Sequence, residues 1–74
     1  MHQPAIHVTD NNNGVMSAYE MFSADKKPMH FACDNYLAAA QMYLENHYPG
    51  LRFTKSGWSA NLTQAIYHFC EVLP

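Results

Sequence analysis

The chain has 74 residues, room for one small domain, with four basic against six acidic side chains and a formal net charge of −2. Hydrophobic residues make up 49% but charged residues only 14%, where a typical soluble domain carries about 25%. With one Trp, five Tyr and four Phe, this balance excludes a disordered tail, which would be aromatic-poor and highly charged. It also disfavours a dedicated nucleic-acid module, which would be basic.

In chain order, Ala5–Asp10 alternates as a strand, with Ile6 and Val8 on one face and His7 and Thr9 on the other. Asn11-Asn12-Asn13-Gly14 follows, and Asn-Gly is a strong hairpin signal because both residues accept positive φ. Val15–Ser23 reads as the return strand. Its odd positions (Val15, Ser17, Tyr19, Met21) and even positions (Met16, Ala18, Glu20, Phe22) face opposite ways. The stretch from Ala24 to Pro28 holds turn formers and reads as a second tight connection. Met29–Cys33 is a third strand, and Asp34 then serves as the expected N-cap of an Ala-rich helix reaching His47. Tyr36, Leu37, Ala40, Tyr43, Leu44 and His47 form its broad face, with Met42 outward, and Pro49-Gly50 ends it.

Leu51–Lys55 alternates as a short strand, and Ser56-Gly57 reads as a turn. The last segment, Ser59–Leu73, fits two templates. Leu62, Ala65, Ile66, Phe69, Cys70 and Leu73 match helical spacing, and Asn61 with Gln64 fits a helix-capping pair. The composition of Ile66–Val72 suits a strand instead. The longer periodicity favours the helix. The expected fold is therefore a single α+β domain over residues 1–74, in the order β-β-β-α-β-α. It has a small antiparallel sheet of three to four strands with two helices on one face.

Five His and two Cys raise the question of a metal, but no pair has ligand spacing. On a strand His30 and Cys33 point to opposite faces, and on a helix His68 and Cys70 are about 200° apart. Cys33 and Cys70 both fall on faces assigned to the core and read as free buried thiols rather than nucleophiles. No nucleophile elbow, phosphate loop or H-E-x-x-H is present, and Glu20, Glu45 and Glu71 are isolated. The expectation is no enzyme, no metal and no cofactor. No apolar run approaches the ~18 residues that span a bilayer, and Met-His-Gln-Pro is no signal peptide, so a cytoplasmic location is expected.

What resists a bland reading is apolar side chain on surfaces assigned to solvent. Met42 and Tyr67 sit outward on helices, Tyr48 and Trp58 near element ends, and either Tyr19 with Met21 or Met16 with Phe22 on the uncovered sheet face. Isolated exposed apolar residues are ordinary, but Met, Tyr and Trp together are enriched at interfaces. The expected function is a non-enzymatic protein-binding module, an accessory or inhibitor acting on a larger protein partner or pairing as a homodimer. Its interface residues are Tyr19, Met21, Met42, Tyr48, Trp58 and Tyr67. In style alone, with no matching residues, such chains are similar to phage and plasmid proteins that inhibit host enzymes by binding. The alternative is a weak nucleic-acid-binding regulator using Lys26, Lys27, Arg52 and Lys55.

Overall fold

Residues 2–23 and 27–73 are described by a computed structural model. Their elements run β1 (Ala5–Asp10), β2 (Val15–Glu20), β3 (Met29–Ala32), α1 (Tyr36–His47), β4 (Phe53–Ala60) and β5 (Gln64–Glu71). All strand pairs are antiparallel, in the spatial order β3-β2-β1-β5-β4. This corrects the expected fold. Among the described residues the order is β-β-β-α-β-β, with five strands and a single helix on one face of the sheet.

The element that overturned the expectation is the last. β1 has two edges of backbone donors and acceptors, and β2 satisfies only one of them. β5 satisfies the other, pairing Ala5 with His68, His7 with Ile66 and Thr9 with Gln64. A helix in its place would leave that edge of the central strand unpaired. The pairing extends beyond β1, because Phe69 N–H donates to Pro4 O and Glu71 N–H to His2 O. Along β5, Ala65, Tyr67 and Phe69 are buried beneath the helix side, which is a period of two. Asn61 and Gln64 do not cap a helix. Asn61 Oδ1 instead accepts from the N–H groups of Thr63 and Gln64 and from the Thr63 hydroxyl, closing the β4–β5 hairpin.

Two further expectations shift locally. Ser56-Gly57 is no turn: the register slips between Lys55 and Gly57 as a bulge, and β4 continues to Ala60. The helix is capped by Asn35 rather than Asp34, its Oδ1 accepting from Ala38 N–H at 2.9 Å. At the other end Tyr48 N–H donates to Leu44 O, and Gly50 takes a φ of 84° that a side chain would resist. β2 stops at Glu20, because Phe22 adopts a φ of 64° and turns the chain. Most of the expected second connection, residues 24–26, lies outside the described residues.

The core is thin. Ile6, Val8, Met16, Ala18, Ala65, Tyr67 and Phe69 from the sheet meet Ala39, Ala40, Tyr43 and Leu44 from α1. Only Ile6 and Val8 are large and fully buried, and alanines fill much of the rest. That lets the helix ride close to the strands. It lies over β1 and β2 and touches β5 and β3, while β4 reaches the core through Phe53 alone. Cys33 packs against this core, whereas Cys70 is paired with Thr54 on the opposite face of the sheet, so the expectation of two core thiols is also corrected. Both thiols are free. Among the described residues no helix is long and apolar enough to cross a membrane.

Candidate interaction surface

The six residues singled out from the sequence do not converge. Tyr19 lies half-buried on the sheet face away from α1, with its ring 5.0 Å from that of His7. Met21 is half-buried just past β2, where its N–H donates to Ala5 O. Met42 is also half-buried and is not among the side chains packed against the core. Tyr48 packs against the core, its hydroxyl donating to Glu20 Oε1 at 2.7 Å. Only Trp58 and Tyr67 come together. Tyr67 is 8% exposed and belongs to the core, not to an outward helix face.

Trp58 and Tyr67 are opposed across β4 and β5, their rings stacked at 6.4 Å and 23°. Tyr67 is covered, but Trp58 remains 60% exposed because α1 does not reach β4. The Lys55 ammonium stands 5.4 Å from the Trp58 centroid and 5.9 Å from that of Tyr67, a cation over two π faces. At the hairpin tip Leu62 is 96% exposed, while its carbonyl accepts from the Tyr36 hydroxyl on α1. Toward the other end of β4 a groove opens between helix and sheet, lined by Gln41, Leu44, Glu45, Leu51, Phe53 and Phe69. The helix-side flank of β4 and β5 thus carries Phe53, Trp58, Tyr67 and Phe69 together with Lys55, with Glu71 opposite Phe53 and Glu45 on the groove wall. Leu62 escapes sequence reasoning because it fits the helical template of the last segment. The signal that would have exposed it is Asn61-Leu62-Thr63 read as an Asx turn.

The rest of the sheet offers less. β4 is an edge strand, but its bulge and Lys55 obstruct the addition of a further strand. The opposite edge, β3, has only four residues. The face away from α1 carries His7, Thr9, Ser17, Tyr19, His30, Gln64, Ile66 and His68. By strand register, no Asp, Glu, Lys or Arg of the strands points there. Its polar groups bond to one another: His7 Nε2 meets Gln64 Oε1 at 2.9 Å, and Ser17 Oγ meets His30 Nδ1 at 2.9 Å. His7 Nδ1 is buried without a hydrogen-bond partner.

Most of the shifted groups lie at the end where α1 stops, and Tyr67 lies near its start. Burial and the Glu20 carboxylate raise the Tyr43 hydroxyl, and burial with the Glu20 hydrogen bond pushes Tyr48 up to about 12. Burial raises Tyr67 too, with the neighbouring Tyr36 hydroxyl adding to the effect. Hydrogen bonds from the His2 side chain and backbone N–H to Oε1 hold the Glu71 carboxyl below its ordinary range. The His2–Glu71 contact ties the N-terminal segment to β5. Among the described residues no group of three His, Cys, Asp or Glu could hold a metal ion. Of the four cations considered for nucleic acid, Lys26 lies outside the described residues. Lys27 precedes β3 at one edge of the sheet, while Arg52 and Lys55 belong to the opposite edge.

No protein-family model, curated protein or solved structure matches the chain.

Proposed function

We propose that the protein is a non-enzymatic binding module that docks on a larger protein and modulates it, using the β4–β5 flank beside α1. The observation carrying this reading is Trp58: a large aromatic 60% exposed, stacked on a core tyrosine, on a flank that α1 leaves uncovered. Tryptophan is among the residues most enriched at binding hot spots. The free thiols Cys33 and Cys70 support a reducing, cytoplasmic setting. Capture from source cells with the wild-type chain and with Trp58→Ser tests it. A stoichiometric protein held by the first, released by the second and indifferent to salt supports docking. Retention of nucleic acid with a steep salt slope favours the basic alternative through Arg52 and Lys55.

A homodimer is favoured by a separate observation, the face of the sheet without fixed charge, which can meet a copy of itself without setting like charges together. Solution mass over a concentration series tests this. It should exceed 8.4 kDa and return to that value in Ile66→Lys, which places a cation on both sides of the two-fold axis.

A further inference from the structure

The loop between β1 and β2 holds a chemically reactive pair. Asn13 is followed by Gly14, the one Asn-Gly step in the chain, and both residues are exposed. Gly14 takes a φ of 79°, and no atom lies within 4 Å of where a Cβ would stand, so its amide nitrogen is unscreened on that side. Among the described residues Gly14 N–H donates to no protein group. Asn13 Oδ1 accepts from Val15 N–H at 3.2 Å. That bond folds the side chain back along the main chain and keeps Cγ on the side of the Gly14 nitrogen. The same donor faces the oxygen on which negative charge gathers when Cγ is attacked.

The other asparagines lack this combination. In Asn11 and Asn46 the amide nitrogen, the group that would have to leave, is engaged with Ser17 Oγ and Met42 O. Asn35 and Asn61 hold backbone N–H groups through Oδ1, and the side chains of Tyr36 and Leu62 crowd the nitrogen that follows them. Asn12 precedes another asparagine.

We infer that Asn13 is a site of spontaneous modification, converted through a cyclic imide with Gly14 to aspartate and isoaspartate. The Gly14 nitrogen gives up its proton and bonds to Asn13 Cγ as the Cγ–Nδ2 bond breaks, and ammonia carries the proton away. Water then opens the imide. Opening at Cγ leaves an ordinary aspartate, and opening at the main-chain carbonyl leaves isoaspartate, with the chain routed through Cγ. Either product adds one carboxylate to the formal charge of −2, making it −3. The two differ in the hairpin. Aspartate keeps an acceptor for Val15 N–H. Isoaspartate lengthens the chain by one atom between Asn11 and Val15, where Asn11 N–H closes the loop on Val15 O, next to the Asp10–Met16 pair of the sheet.

The test follows the folded full chain at mildly alkaline pH by ion exchange, peptide mass mapping and methyl transfer from S-adenosylmethionine by an isoaspartate methyltransferase. Two more acidic species should build up, both mapping to Asn13, and only one should accept methyl groups. That one should melt below the other, which should match the Asn13→Asp variant. Asn13→Gln, whose longer side chain would have to close a larger ring, should lose both species. A parallel incubation in urea separates the residues from the fold. Reaction at Asn13 in urea with none in the folded chain overturns the inference, since the loop then shields the site. Acidic species that map to other asparagines while Asn13 stays intact overturn it as well. Equal melting of the two products overturns the cost assigned to the hairpin.

Discussion

Two halves of one sheet surface lie side by side on the helix side, and they are built from different residues. Over β1 and β2 the contacts are Ala18, Ala39 and Ala40, with Met16, Tyr43 and Leu44, around Ile6 and Val8, all of them buried. Over β4 the residues are Lys55 and Trp58, large and exposed, and Phe53, half-buried against the core. β5 belongs to both halves: Ala65 is small, while Tyr67 and Phe69 reach under the aromatic flank. Small residues let an element of the same chain come close. Large ones left at the margin keep area for something else. The first half is spent on folding and the second leaves Trp58 exposed.

The largest expected effects fall in the covered half. Ile6→Ala should cost about 3 kcal/mol in denaturant unfolding, because Ile6 is wholly buried at the centre of the sheet. A loss below about 1 kcal/mol would mean that the centre of packing lies elsewhere. Ala40→Leu should cost about 2 kcal/mol by forcing α1 off the strands, and the methyl shifts of Ile6 and Val8 should move with it. Asn61→Ala comes next, at about 1 kcal/mol, since one Oδ1 accepts from two backbone N–H groups at the hairpin tip.

The uncovered half should respond differently. Trp58→Ser should change stability by no more than about 0.5 kcal/mol while abolishing partner capture. A large drop in melting temperature would erase the distinction between the halves. The smallest effects belong to the end beyond them. Glu71 is held below its ordinary pKa, so its contribution is present above the unfolded value and fades as pH falls through the folded one. Urea midpoints should therefore slope downward on acidification below about pH 4.5, less steeply in Glu71→Gln. Tyr48 is shifted the other way. Its contribution is whole below the unfolded value of 10.0, declines as pH rises toward about 12, and is missing in Tyr48→Phe.

The covered half was largely legible from the residues. Alternation of Ile6 and Val8 marks β1, the Asn-Gly loop marks the first hairpin, and the Ala-rich stretch with Pro49-Gly50 marks α1. The flank was not. Ile66 is apolar on the face away from α1, so β5 carries hydrophobic residues on both sides and its alternation is masked. A period of two then passes for a period of 3.6. Trp58 was recognisable as a surface aromatic but not as part of a cluster, because its neighbours Tyr67 and Lys55 depend on a register that the bulge sets. Tyr48 failed as a surface residue for another reason. Its hydroxyl finds Glu20, 28 positions away, a contact no local pattern encodes.

The placement of β5 between β1 and β4 has a consequence for how the molecule is made. His7 and Gln64 are neighbours in the sheet yet 57 positions apart in the chain. During synthesis β1, β2 and β3 can form their meander while one edge of β1, the central strand, still lacks its mate. Such an edge is a template for another nascent chain, and closing so long a loop is slow. The strand that supplies the missing mate of β1 also carries Tyr67 opposite Trp58, so the aromatic flank and the finished sheet depend on the same element.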